Sequence, residues 1–162
     1  MSPDTVGLVI VSHSATLAEG VVELARQMGG EGLRIEAAGG MADPPGEIGT
    51  DPMVVMEAIE RVAGPAGVLV LMDLGSAVMS AEMAAEMVSA DGPVQLCAAP
   101  LVEGAVAAAA LAGAGAPIEE VAREARPHRP ARPPPRPPPR AAPRTAARDR
   151  RRTPSRPPSR RS

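Results

Sequence analysis

Apolar blocks alternate with helical patterns along the first 125 residues of the chain. Continuous apolar runs at residues 6–11 and 67–72, rich in Val and Leu, predict strands buried on both faces, as in a parallel sheet. Weaker strand patterns cover residues 33–37 and 94–97. The order β-α-β-α-β-α-β-α-α predicts an α/β fold: a doubly wound, mainly parallel four-stranded sheet of order 2-1-3-4 with helices on both faces.

Helix starts and buried faces are indicated by capping residues and apolar spacing. Thr16 and Glu19 have the spacing of a capping box at the first helix. Asp51 and Ser76 are the predicted N-caps of the second and third helices, and Pro52 takes the first position of the second. The predicted buried positions of the first helix are Leu17, Val21, Leu24, Ala25 and Met28.

The later helices are predicted in the same way. Two further helices run from Leu101 to about 111 and onward from Pro117. The predicted buried face of the second helix is Val55, Ala58, Ile59 and Val62. That of the third helix is Val78, Ala81, Ala85 and Val88.

The composition narrows the function classes. No Phe, Tyr or Trp is present, which argues against base stacking with RNA or single-stranded DNA. Cys97 is the only cysteine and sits in a predicted buried strand, so it is assigned to the core, and no metal-ligand spacing occurs. Neither a G-x-G-x-x-G nor a P-loop pattern is present, so no cofactor is expected. With no secretory signal and no membrane-spanning run, a cytoplasmic protein is the expectation.

Charge divides the chain into two regions. Residues 1–122 hold 17 acids and three arginines, whereas residues 123–162 hold 14 arginines and two acids. Residues 127–162 contain 12 of the 20 prolines and no Val, Leu, Ile or Met. A folded domain over 1–126 and an Arg/Pro-rich disordered tail over 127–162 are therefore predicted.

The tail has three interpretations. It is a solvated segment with no specific role, an arginine-rich arm in salt-dependent, non-specific contact with nucleic acid or with the acidic domain, or an out-of-frame translation of GC-rich DNA. Arginine content alone is weak support for the second, so a nucleic-acid partner is not expected.

Two polar residues lie at the carboxyl ends of predicted strands. His13 comes two residues after the first strand, and Asp73 directly follows the third. Since the carboxyl ends of parallel strands meet at one edge of a sheet, these side chains become neighbours if the two strands pair. A neutral imidazole is a good nucleophile, and a carboxylate can fix its tautomer, so His13 is the candidate carrier of a phosphoryl group.

Other candidates surround this pair. Ser14 and Ser76, with the backbone N–H groups of nearby helix starts, are candidate donors to phosphoryl oxygens. From the residues alone, plainer roles stay open: a strand-end polar histidine, a turn aspartate at Asp73, and capping only at Asp51 and Ser76. The methionines at 79, 83 and 87 are assigned to packing.

Four segments carry a family resemblance: GLVIVSHSATLAEGVVELARQM, IGTDPMVVMEAIERV, GVLVLMDLGSAVMSAEMA and LCAAPLVEGAVAAA. In this order, over about residues 5–125, they resemble the phosphotransfer subunits of phosphoenolpyruvate-dependent dihydroxyacetone kinases (DhaM). Those subunits belong with the mannose-type enzyme IIA domains of the sugar phosphotransferase system.

The resemblance implies roles for residues and partners. His13, in VSHS with Ser12 and Ser14, would be the phosphorylated histidine, and Asp73 the acid beside it. The matching site loops are Gly39, Gly40, Thr50, Asp51, Gly75 and Ser76. The phosphocarrier protein HPr would phosphorylate His13, and ADP on the nucleotide subunit of the kinase would accept the phosphoryl group. A homodimer with phosphotransferase activity, no metal and no membrane contact is implied.

Two alternatives share this chemistry. One is a mannose-type enzyme IIA for sugar uptake, with a different phosphoryl acceptor; MDLGS and LCAAPLVEG favour the kinase subunit instead. The other is a regulatory module that is phosphorylated at His13 and passes the group to no substrate.

Overall fold

Residues 5–127 are described by a computed structural model. The elements in chain order are β1 (Gly7–Ser12), α1 (Ala15–Gly29), β2 (Ile35–Gly39), α2 (Pro52–Val62), β3 (Val68–Met72), α3 (Gly75–Met87), β4 (Val94–Cys97), α4 (Leu101–Gly113) and α5 (Ile118–Ala125). The α/β class and the element order predicted from the sequence are confirmed. The predicted tail lies, apart from Pro127, outside the described residues, so its disorder stays a prediction.

The four strands form one parallel sheet in the order β2-β1-β3-β4, as predicted. The central strands β1 and β3 are buried along their whole length, because both sheet faces are covered. Leu8 and Ile10 pack in a core layer with α1, α4 and α5, whereas Val9 and Val11 pack in a second layer with α2 and α3. Helices therefore cover both faces of the sheet.

The second helix forms as its sequence predicts. Asp51 is the N-cap and accepts a hydrogen bond from the Met53 N–H at 2.9 Å, with Pro52 at the first helical position. The four residues predicted to be buried on this helix are all buried. This helix carries its capping signal and its apolar face in one short segment, so local sequence is sufficient to place it.

The start and the buried face of α1 differ from the prediction. Ser14, not Thr16, is the N-cap, and its hydroxyl accepts from the Leu17 N–H at 3.2 Å. Leu17, Leu24 and Met28 are about half exposed, because the sheet and α4 cover a neighbouring face. The buried residues of α1 are Ala18, Val21, Val22 and Ala25.

The third helix is also rotated relative to the prediction. Its N-cap is Leu74, which makes no side-chain capping bond, so the assignment of Ser76 as N-cap is wrong. The buried residues are Ala77, Ser80, Ala81 and Ala84, while the predicted Val78, Ala85 and Val88 are only partly buried. Methionines Met79, Met83 and Met87 are exposed, so their assignment to packing is wrong as well.

Within residues 5–127, no helix has the length and apolar content needed to cross a bilayer. Cys97 is buried and donates its thiol to the Ala122 carbonyl at 3.7 Å, in agreement with the core assignment.

Candidate functional site

The sheet brings His13 and Asp73 together. His13 directly follows β1 and Asp73 directly follows β3, and these strands pair in parallel with Val11 opposite Met72. The Asp73 N–H donates to the Val11 carbonyl at 3.1 Å, which extends the ladder by one residue. Both side chains therefore lie at the carboxyl ends of the strands, where ligands bind in open α/β sheets.

The Asp73 carboxylate accepts four hydrogen bonds. Oδ2 accepts from the Ser12 hydroxyl and the His13 N–H, each at 2.9 Å. Oδ1 accepts from the Leu74 N–H at 2.7 Å and lies 3.0 Å from the His13 Nδ1. Burial of Asp73 raises its pKa, but the hydrogen bonds from His13, Ser12 and Leu74 outweigh that effect and hold the pKa below its ordinary value.

This carboxylate fixes the tautomer of the histidine. An ionised Asp73 can only accept, so the proton of the neutral ring resides on Nδ1. The other ring nitrogen, Nε2, then carries a lone pair and accepts from the Ser76 hydroxyl, which lies against it. The His13 side chain is 20% exposed and that of Asp73 is 12% exposed, so the pair is not sealed from solvent.

Ser76 and Gly75 form the open first turn of α3 beside Nε2. The Ala77 N–H donates to the Leu74 carbonyl at 3.0 Å, whereas the Gly75 and Ser76 N–H groups precede the first intrahelical bond and meet no side-chain oxygen of the N-cap residue Leu74. The helix dipole adds partial positive charge at the same point. A phosphoryl group on Nε2 would therefore meet the Ser76 hydroxyl and unengaged backbone donors.

The hydroxyl groups of the two serines that flank His13 have different hydrogen-bond partners. Ser12 is fully buried; its hydroxyl donates to Asp73 and accepts from the Ser14 N–H at 3.1 Å. The Ser14 hydroxyl caps α1 by accepting a hydrogen bond from the Leu17 N–H. Ser12 thus holds the carboxylate, while the side chain of Ser14 is engaged by the helix.

The remaining predicted loop residues surround the backbone of this segment. The Gly40 N–H donates to the Ser12 carbonyl at 3.3 Å, and the Gly49 N–H donates to the His13 carbonyl at 2.9 Å. Thr50 forms a bridge with Gly40 and a 2.7 Å hydroxyl contact with Ser80. Asp51 serves α2 as its cap, and within residues 5–127 no hydrogen bond joins it to His13. Ser80 was missed at the sequence level, because a mid-helix serine gives no local signal of a distant partner.

Gly39 lies where β2 passes the start of α1. A Cβ at this position would lie 2.7 Å from the Ser14 carbonyl oxygen and 2.8 Å from the Cα of Ala15. Neither backbone atom can move without displacing the helix that follows His13. This close approach gives a physical reason for glycine at the position that the resemblance assigned to a site loop.

Replacing this glycine tests the close approach. We expect Gly39→Ala to lower the free energy of unfolding by about 1–3 kcal/mol, because the added methyl overlaps backbone. Gly20→Ala is the matched control: its Cβ meets nothing within 4 Å, so it should raise the free energy by up to about 1 kcal/mol. Urea unfolding measures both, and equal stability of the two variants would contradict the geometry.

Acid unfolding should reveal the ionised carboxylate. Because folding lowers the pKa of Asp73, its contribution to stability is complete above the pKa of the unfolded chain and is lost as pH falls through the folded pKa. We expect the free energy of unfolding to fall more steeply for the wild type than for Asp73→Asn between about pH 5 and pH 2. Urea titrations at each pH measure the slopes, with Asp91→Asn, at an exposed turn, as the control. Parallel curves for wild type and Asp73→Asn would count against the assignment.

Comparison with known proteins identifies the family. The model of the family EIIA-man, described as "PTS system fructose IIA component", matches residues 7–122. The chain belongs to this family. The resemblance deduced from the four segments is thereby confirmed, and His13 lies within the matched residues.

Within this family, the chain is similar to curated relatives that are named as subunits of dihydroxyacetone kinases. A relative from Klebsiella michiganensis, named "PEP-dependent dihydroxyacetone kinase, phosphoryl donor subunit DhaM", is 54% identical over 123 residues, covering 74% of this chain and 26% of the relative. The chain therefore spans about a quarter of the length of that relative. A relative from Lactococcus lactis, named "PTS-dependent dihydroxyacetone kinase, phosphotransferase subunit DhaM", is 40% identical and covers 72% of this chain and 90% of its own.

A solved structure confirms the fold. The crystal structure of "unknown function protein EF1359" superimposes with a TM-score of 0.63 at 35% identity, covering 75% of this chain and 92% of that one. In the described part of this EIIA-man domain, no group of three or more His, Cys, Asp or Glu side chains is arranged to hold a metal ion.

Proposed function

We propose that this EIIA-man domain is a phosphohistidine carrier of a phosphoenolpyruvate-dependent dihydroxyacetone kinase. The observation that carries the proposal is the histidine itself. Asp73 fixes Nδ1 at 3.0 Å, and Nε2 faces Ser76 at the uncapped start of α3. This arrangement combines a nucleophilic nitrogen with donors for the group it receives.

The transfer step follows from these contacts. The Ser76 hydroxyl first turns away from Nε2 and frees its lone pair. The lone pair then forms a bond to phosphorus while the bond between phosphorus and the donor breaks, and the donor retains the electron pair. The ring becomes cationic, and the ionised Asp73 stabilises it through Nδ1–H. The N–H groups and the Ser76 hydroxyl at the start of α3 then hold the phosphoryl oxygens. Reversal of the same step passes the group to an acceptor, which restores the neutral ring.

The partners are proposed from the relatives. HPr is the donor, and the acceptor is ADP bound to the nucleotide subunit of the kinase, so ATP is regenerated there. Support comes from two relatives named as DhaM subunits, at 54% and 40% identity. The position of His13 agrees with protein partners, because it lies at the carboxyl ends of the strands with its side chain 20% exposed. The ketose itself is bound elsewhere in this scheme.

Stepwise reconstitution tests the relay. Labelled phosphoenolpyruvate, enzyme I and HPr should place acid-labile, base-stable phosphate on the domain. Addition of the ADP-loaded nucleotide subunit should then discharge that label into ATP. Full retention of the label after this addition would contradict the kinase role.

The same experiment decides between the kinase and its alternative. The family description as a fructose IIA component favours a sugar-uptake enzyme IIA. In that case the label would leave only when the membrane sugar permease and sugar are added. A regulatory module would keep its label in both reactions. The homodimer and a cytoplasmic location stay predictions, and sedimentation and fractionation measure them.

A further inference from the structure

The buried side chain of Ser80 has no part in the proposed transfer step. Among the described residues, the buried polar side chains are Ser12 and Ser80. Ser12 holds Asp73, whereas Ser80 is 7% exposed and lies in the middle of α3. Burying a hydroxyl is favourable only when it finds a partner, and the partner of Ser80 is the Thr50 hydroxyl, 2.7 Å away.

This hydroxyl pair joins two elements that meet at His13. Thr50 follows Gly49, whose N–H donates to the His13 carbonyl. Ser80 lies one helical turn after Ser76, so both serines are on one side of α3. The loop that holds the backbone of His13 is thus bonded to the helix whose first turn faces Nε2.

Other contacts anchor α3 only weakly. Its buried apolar residues are the alanines Ala77, Ala81 and Ala84, which bury little area each. Its three methionines are exposed, and Val78 packs against the core only partly buried. Its N-cap makes no side-chain bond. With so little apolar anchorage, one directional hydrogen bond has a large share in setting the position of the helix along its axis.

We propose that Thr50 and Ser80 are positioning residues for phosphoryl transfer at His13. Their hydrogen bond fixes the first turn of α3, and with it the Ser76 hydroxyl and the N–H donors, at the distance from Nε2 that the transition state requires. This inference rests on the proposed carrier function and deepens it. Loss of the pair would leave His13 and Asp73 in place but misplace the donors, and misplacement by about 1 Å slows transfer strongly.

The test uses a donor that needs no partner protein. Phosphoramidate transfers its phosphoryl group to Nε2: the new N–P bond forms, the old N–P bond breaks, and ammonia leaves with a proton from solvent. The rate constant at saturation and the half-saturating concentration are measured on the full chain for Thr50→Val, Ser80→Ala and the double variant. Thr50→Ser keeps the hydroxyl, and Ser89→Ala removes an exposed serine just beyond α3 as a control.

The pair should act as a unit. We expect each single variant to lower the saturated rate roughly 10-fold with little change in half-saturation, and the double variant to be no slower than either single variant. Thr50→Ser and Ser89→Ala should match the wild type. Wild-type rates in folded Thr50→Val, or effects that multiply in the double variant, would overturn the proposal.

Failure of the carrier function would look different. If HPr and the nucleotide subunit exchange no phosphate with the wild type, while phosphoramidate still labels His13 and the variants still slow that labelling, the partners are wrong and the positioning role stands. If the wild type reacts with the proteins but the variants are unaffected in both assays, the positioning role fails alone.

Discussion

His13→Ala should abolish the acid-labile phosphate on the domain, whichever donor is supplied. The reason is that one nitrogen meets every requirement: Nε2 carries the lone pair, is accessible, and lies against Ser76 at the start of α3. Alanine removes this nucleophile, and the neighbouring hydroxyls of Ser12 and Ser14 are already engaged with Asp73 and the α1 cap. The domain is labelled with phosphoenolpyruvate, enzyme I and HPr. The amount of acid-labile, base-stable phosphate on the protein then measures how much phosphorylation is lost.

The chain offers a matched control for this variant. His128 is the second of its two histidines and follows the described part of the chain. His128→Ala should label to the same extent and at the same rate as the wild type. Label that persists on His13→Ala and disappears from His128→Ala would exclude His13 as the carrier.

Asp73→Asn should slow phosphorylation of His13 by about 10²–10⁴-fold while leaving the protein folded. Aspartate accepts four hydrogen bonds through two oxygens. Asparagine keeps one accepting oxygen, and its NH₂ group faces donors that have no acceptor left. Its amide can also stabilise the opposite ring tautomer, in which the proton sits on Nε2 and the lone pair is turned away from the phosphoryl group.

The control for this change is the same substitution at the other aspartate near the site. Asp51 caps α2, and asparagine is as good an N-cap as aspartate, so Asp51→Asn should retain the wild-type rate. Single-turnover labelling gives both rates, and nitrogen-15 chemical shifts of the ring report the tautomer. A wild-type rate in Asp73→Asn with an unchanged tautomer would show that the carboxylate does not act through Nδ1.

Where a segment carried both its capping residue and its apolar stripe, its structure was predicted from the sequence. The second helix is the clearest example, with Asp51, Pro52 and four buried residues all confirmed. The strand β4 has the predicted bounds Val94–Cys97, and the central strands differ from prediction by one residue. In each case the signal lies within a few residues, so no knowledge of neighbours was needed.

The wrong predictions concern helices whose local sequence is compatible with more than one buried face or more than one start. In α1, apolar residues line a broad arc, and only the packing of β2 and α4 decides that Val22 is buried while Leu17 and Leu24 border an open groove. In α3, Ser76 fits the pattern of an N-cap, yet the N-cap is Leu74, and the helix begins at Gly75, two residues earlier than a Ser76 cap implies. Capping preferences allow several starts within one turn, and tertiary contacts select one.

The sequence by itself determined the α/β order, the strand ends that carry His13 and Asp73, and the four segments that indicated the family. These are local signals: apolar runs, caps and residue types in a fixed order. The predicted strand order already paired β1 with β3; only the tertiary structure decided that this pairing places the Asp73 carboxylate 3.0 Å from the Nδ1 of His13 and the start of α3 beside Nε2. It also joined Thr50 to Ser80 across 30 residues. Such contacts depend on distances between elements far apart in the chain, and residue spacing along the sequence contains no measure of those distances.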